Sequence, residues 1–308
     1  MKAFYCDHFV LPLPDAHRFP ISKYQLLRLR VESLLSDVEL IEPTPATDEM
    51  LARVHDGDYI HRATQGLLTA KQVRRMGFPW SPQLIERSRH SVGATVEACG
   101  RVLEGDTVAV NLAGGTHHAF ADRGEGFCVF NDAAVAIRHF QHLGLIERAL
   151  IVDCDVHQGN GTASIFADDP TVYTVSLHGR RNYPFHKEVG DMDVELEDGT
   201  EDAPYLDALE AALDRALPVS GADLVIYLAG ADPFAGDKLG RLGLTKEGLH
   251  RRDTMVLERC HRENLPVVVA MAGGYAPEVD DIVDIHFNTV QVAARLNSAS
   301  GNDASSES

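Results

Sequence analysis

The sequence predicts an α/β fold: one domain built on a parallel β-sheet sandwiched between helices. Three features carry this reading. Strand-like and helical stretches alternate along most of the chain. The strand-like runs are near-continuous Val, Ile and Leu, the pattern of strands covered on both faces. No internal repeat and no Gly/Ser- or Pro-rich linker divides the chain, so residues 1–296 read as a single domain. Residues 297–308 have almost no apolar content and are expected to form a disordered tail.

Taken in order, residues 3–5 form a short strand, and a Pro- and His-containing loop follows over residues 11–20. Ser22 is placed to cap a helix whose apolar face is Leu26, Leu27, Leu29, Val31, Leu34 and Leu35. Residues 38–41 give a second strand, ended by Pro43 and Pro45. Short helices are expected over residues 48–55 and 58–68. Ser81 and Pro82 mark the cap and first position of a long helix whose apolar positions run from Leu84 to Leu103 and which stops at Gly105. The alternation then becomes regular, with strands at 107–112, 149–153, 172–177, 224–228 and 266–270. Helices lie between and after them at 133–143, 162–166, 206–217, 249–262 and 279–296.

A chain of 308 residues can bury roughly three quarters of its unfolded surface, enough for a sizeable core. Its 44% hydrophobic and 24% charged content is that of an ordinary globular protein, which argues against disorder and against a membrane protein. No run approaches the roughly 18 apolar residues of a membrane span, and residues 1–8 lack the apolar segment of a signal peptide, so a cytoplasmic location is expected. The five cysteines are odd in number and have no C-x-x-C spacing, which fits neither a disulfide framework nor a zinc–cysteine site. The formal charge of −18 repels phosphate backbones and attracts cations. Nucleic acid is therefore not expected as a direct partner, whereas lysine-bearing peptides and polyamines are; acidity that serves only solubility is the plainer alternative.

In open parallel sheets, ligands bind beyond the carboxyl ends of the strands. Five of the predicted strands run there into His117 and His118 after Gly114-Gly115-Thr116, into Asp153, Asp155 and His157, into Ser176-Leu177-His178, into Asp232 after Gly230-Ala231, and into Tyr275 after Gly273-Gly274. Asp153, Asp155 and His157 stand at alternate positions and share one face of an extended chain, while Cys154 and Val156 take the other. Asp155, His157 and Asp232 supply two carboxylates and one imidazole, a set that leaves a catalytic zinc open to a water molecule. The imidazoles of His117 and His118 suit proton transfer from that water to a leaving amine, and the Tyr275 phenol suits stabilisation of an oxyanion. Asp153 and Asn160 suit support of the two imidazoles from behind, one charged and one neutral. Taken singly, each loop also fits an ordinary solvated turn.

These motifs, Gly-Gly-Thr-His-His, Asp-x-Asp-x-His-x-Gly-Asn-Gly, Gly-Ala-Asp and Gly-Gly-Tyr in this order, resemble those of the zinc-dependent histone deacetylase superfamily. The resemblance covers nearly the whole chain before residue 297. It is nearest to class IV, bacterial-type members, with Gln158 after His157 and with the stretches at residues 122–128, 199–206 and 236–240. It implies the arginase/deacetylase fold and hydrolysis of an Nε-acyl group from lysine or a related amine, the target being an acylated protein or an acetylated polyamine. A reader of acyl-lysine without catalysis and a two-metal ureohydrolase on the same fold are the weaker alternatives.

Position by position, the resemblance implies that Asp155, His157 and Asp232 bind zinc, with ferrous iron as an alternative. His117 and His118 would be the acid/base groups and Tyr275 would polarise the acyl carbonyl. Gly126 and Phe127 would line the tunnel for the alkyl chain. A structural potassium ion would sit at Asp153, Asp155, His157, Ser176 and Leu177, and a more peripheral cation near Phe166 and Val172. Asn160 stands where class I members have a carboxylate behind His118, which leaves open which histidine is base and which is acid. The second tunnel wall is expected among the aromatic residues of 180–185, with no ring singled out.

Overall fold

A computed structural model describes residues 1–8, 11–14 and 17–306, with side chains as far as residue 298. Asp15 and Ala16 of the early loop, and residues 307–308 of the expected tail, lie outside it. The strands are β1 (Lys2–Phe4), β2 (Glu39–Ile41), β3 (Val108–Asn111), β4 (Ala149–Asp153), β5 (Val172–Gly179), β6 (Met192–Leu196), β7 (Leu224–Gly230) and β8 (Val267–Ala272). All pairings are parallel, and the order across the sheet is β2-β1-β3-β8-β7-β4-β5-β6. The strands β3, β8, β7, β4 and β5, whose ends carry the motifs, are thus five consecutive neighbours. Parallel pairing brings all five carboxyl ends to one edge, which makes the convergence of their loops a consequence of topology.

The helices are α1 (Ser22–Leu34), α2 (Asp48–Leu51), α3 (Gly57–Thr64), α4 (Ala70–Met76), α5 (Pro82–Leu103), α6 (Asp132–His142), α7 (Asn160–Phe166), α8 (Asp202–Ser220), α9 (Lys246–Arg262) and α10 (Val279–Ser306). They cover both faces of the sheet, and the apolar strands show why. In β7, Val225, Tyr227 and Ala229 join one buried cluster, with side chains of α1, α8, α9 and α10. Leu224, Ile226 and Leu228 between them join the other, with α5 and α6. A side-chain period of two with both faces buried gives an unbroken apolar run.

Several boundaries differ from the sequence expectation for local reasons. Ser22 is already inside α1: Ile21 precedes it with helical φ and ψ, and no side chain caps this end. The helix α4 and the strand β6 were not anticipated. Thr69 and Gln72 form a reciprocal capping box for α4, and Gly77 closes it at φ 86°, signals that a seven-residue stretch with three basic side chains obscures. The strand β6 is an edge strand of mixed polarity, Met-Asp-Val-Glu-Leu, with no long apolar run to mark it. The helix α10 continues past Leu296, through residues expected to form the tail, with no proline to interrupt it. Among the described residues no helix is long and apolar enough to cross a membrane.

Candidate active site

The site is built outward from the end of β4. Asp153 closes the strand, and the next residues keep the side-chain alternation, since Cys154 and Val156 are buried in the cluster shared with α8 and α9. Asp155 and His157 are thereby turned to the opposite side, where Asp232 arrives from the end of β7. One ligand atom from each of Asp155, His157 and Asp232 lies within 4.8 Å of the other two, and all three residues are buried. Backbone amides hold the carboxylates: His157 N donates to Asp155 Oδ1 at 2.9 Å and Val156 N donates to Asp232 Oδ1 at 2.9 Å.

The two histidines enter from the loop after β3. The turn before them is anchored by the fully buried Asp132 at the start of α6, which accepts from Thr116 N at 2.8 Å, Thr116 Oγ1 at 2.5 Å and Thr95 Oγ1 at 2.6 Å. His117 and His118 then lie side by side, ring centroids 4.1 Å apart. His117 Nδ1 is 2.6 Å from Asp153 Oδ2, and His118 Nδ1 is 2.6 Å from Asn160 Oδ1. Equal geometry with unequal partners splits their proton affinities. Burial lowers that of His117, but the charges of Asp153 and Asp155 outweigh it and carry the pKa up to about 9. Burial and the neighbouring charges of His117 and His157 hold His118 well below its ordinary value, because a neutral amide opposes them only weakly.

Tyr275 follows β8 on Gly273 and Gly274, both at positive φ. Its backbone N–H donates to Asp237 Oδ2 at 2.6 Å, and the buried Lys23 ammonium donates to the carbonyls of Gly273 and of Gly274, the latter at 3.2 Å. Burial, together with the charges of Asp155 and Asp232, keeps the phenol protonated far above its usual range. Its ring stands 6.4 Å from that of His157 and 5.9 Å from that of Phe127.

Gly126 and Phe127, both at positive φ, line the groove that opens beside His118 and Tyr275. A side chain at Gly126 would run into the His118 ring, so only glycine lets this loop close on the histidine. Of the rings at residues 180–185, Tyr183 is half-buried and edge-on to His118 at 5.1 Å, its hydroxyl bonded to Glu125. Phe185, which also lines the groove, is 83% exposed. Ser176 pairs with Asp153 in the β4–β5 register, and its hydroxyl lies 2.9 Å from His178 Nδ1; Leu177 is buried on the other face. Phe166 and Val172 bury apolar side chains in the cluster shared with α5 and α6.

Asp132, Lys23 and Asp237 are neighbours of the site that sequence reasoning missed, and Tyr183 lies in the stretch it pointed to without singling out a ring. Each acts across a long loop or between strands, and no short motif carries that kind of spacing. Asn131 and Asp132 opening an apolar helix was the one usable signal.

Residues 17–290 match the family described as the histone deacetylase domain. The chain belongs to the histone deacetylase family. Among its relatives, it is 43% identical over 284 residues to an uncharacterised protein of Picosynechococcus, covering 92% of this chain and 94% of the other. It is 33% identical to histone deacetylase 2 of Arabidopsis thaliana, covering 87% and 72%. Among solved structures, a histone deacetylase homologue from Aquifex aeolicus superposes with a TM-score of 0.80 at 26% identity, covering 95% of this chain and 83% of that one. With the family comes its coarse activity: the protein is a deacetylase, an amide hydrolase.

Proposed function

We propose that this deacetylase is metal-dependent and removes acetyl or longer acyl groups from the Nε of lysine in proteins. The observation that carries the metal is the convergence of two buried carboxylates, Asp155 and Asp232, on the single imidazole of His157. Asp232 Oδ2 is buried, its nearest polar partner being His157 Nδ1 at 3.2 Å, which also stands 2.9 Å from Asp155 Oδ1, and burial beside Asp155 drives the Asp232 pKa up to about 7. One proton on His157 is all that the two carboxylates share, a divalent ion would balance both, and one imidazole with two carboxylates suits zinc or ferrous iron. Such an ion, when bound by Asp155, His157 and Asp232, supplies Lewis acidity toward the acyl carbonyl and acidifies water.

The protein's own groups do the rest. With Nδ1–H given to Asn160, His118 keeps its other ring nitrogen free to take the proton of the attacking water, and later returns it to the leaving amine. His117, an imidazolium held by Asp153, stays charged beside it and favours the negative charge that develops on oxygen. Tyr275 donates to the same oxygen. Addition of the water oxygen forms the C–O bond and moves the carbonyl π electrons onto oxygen; their return breaks the C–N bond as His118 protonates the departing nitrogen, leaving a carboxylate and a free amine. Phe127 and Tyr183 exclude water around the alkyl chain. A potassium ion at Asp153, Asp155, His157, Ser176 and Leu177 would rest largely on main-chain carbonyls, since one Asp153 oxygen is taken by His117 and the other by the amide of Asp155.

The bulk acidity that favours a polyamine is not repeated among the side chains lining the mouth, which are basic. Carboxylate release from an acetyl-lysine peptide, a longer acyl-lysine peptide and acetylspermidine tests the reading. Cleavage of at least one lysine peptide is expected, and cleavage of the polyamine alone would overturn it.

A further inference from the structure

The mouth of the site is a groove of about 990 Å³ whose charge is opposite to that of the protein as a whole. Six of its lining residues are cationic, Arg18, Arg74, Arg75, Arg181, Lys238 and Arg241, and no lining residue is Asp or Glu, on a chain with a formal charge of −18. They come from separate segments: the loop before α1, the end of α4, the turn after β5 and the loop after β7. All six are exposed. The carboxylates behind the rim neutralise only part of it. Arg181 and Arg241 share Asp198 at 3.8 and 3.3 Å, and Arg75 stands 3.7 Å from Glu125, which also bonds Tyr183. Asp237 is largely buried, and its oxygens accept from the amides of Leu239, Gly240 and Tyr275. Arg18, Arg74 and Lys238 have no ion-pair or hydrogen-bond partner among the described residues.

A helix dipole accounts for Arg74 and Arg75, which sit in the last turn of α4. It does not account for Arg18 or Lys238, which belong to loops. Left uncompensated around a groove that leads to His118, His157 and Tyr275, these charges have a role toward whatever enters there. We propose that the rim selects acyl-lysines set in acidic sequence, with Asp and Glu side chains flanking the modified lysine lying against Arg18, Arg74 and Lys238. This rests on the lysine-deacylase reading above. Acylation removes the lysine's own positive charge, so the cationic mouth does not repel the group that must pass it, whereas free ammonium groups on a polyamine are repelled.

The test uses three acetyl-lysine peptides with one core, flanked by Asp/Glu, by Gly/Ser or by Lys/Arg, and compares kcat/KM at low and high salt. The acidic peptide should exceed the neutral one by about tenfold at low salt, the basic one should be poorest, and the spread should shrink as salt screens the rim. In the charge-reversal variant R74E/K238E, the acidic-over-neutral ratio should collapse toward one. Because both side chains are exposed and unpaired, folding is checked independently by circular dichroism and by turnover of the neutral peptide. Equal kcat/KM for all three peptides overturns the rim proposal and leaves the deacylase reading standing. Hydrolysis of none of them overturns both. Inhibition of neutral-peptide turnover by a short RNA, but not by a non-acylated acidic peptide, would also overturn it, since the rim would then be reading phosphate.

Discussion

His117 and His118 make hydrogen bonds of the same length to a carboxylate and to an amide, and that single difference carries the roles proposed for them. The proposed base is the imidazole with the neutral partner. Asn160→Asp would give His118 a charged partner as well and raise its basicity, so the acid limb of the kcat/KM profile should move to higher pH, activity being lost earlier as the pH falls. An unmoved limb would show that His118 is not the group titrating. Tyr275 is the proposed donor to the developing oxyanion, and Tyr275→Phe should lower kcat by about 10²–10³ with little change in fold. At this scale the sequence was largely legible, because Asp153, Asp155 and His157 lie within five residues and their alternation follows from strand geometry. Tyr183 was not. Three aromatic or ring-bearing residues stand close together at Tyr183, Pro184 and Phe185, and only the packing of Tyr183 against His118 distinguishes the wall from the exposed Phe185.

Among the elements, α4 connects most directly to the site. Gly126 N donates to Arg75 O at 3.2 Å and Phe127 N donates to Met76 O at 2.8 Å, so the end of a short helix holds one wall of the entry. The helix depends in turn on its capping box at Thr69. Thr69→Ala should loosen α4 by about 1 kcal/mol, visible as faster amide exchange in α4, and should raise KM more than it lowers kcat because the wall moves and the proton-transfer groups do not. The long apolar strands and the doubly marked α5 were readable from periodicity and end signals, and Ser81 does cap α5 through Leu84 N at 3.1 Å. Short elements such as α4 and β6 lack enough residues for a period to emerge. Their signals are turn chemistry and pairing with a neighbour, the second of which no local stretch contains.

Over the whole molecule, parallel pairing and a strand order that places β3, β8, β7, β4 and β5 side by side turn five separate loops into one pocket. The sequence shows that each strand ends in polar residues; adjacency in the sheet is what makes them a site. Charge shows the opposite limit of sequence reading. A total of −18 points toward cationic partners, but a sum has no position, and the mouth is basic. The proposed metal dependence rests on Asp155, His157 and Asp232, whose ligand atoms converge within 4.8 Å of one another. The most direct measurement is turnover of an acetyl-lysine peptide by protein stripped with a chelator and then titrated with zinc or ferrous iron, alongside His157→Ala. The stripped protein should be inactive, about one ion per chain should restore turnover, and His157→Ala should stay inactive at the same metal concentration. Full turnover by the metal-stripped protein would contradict the account.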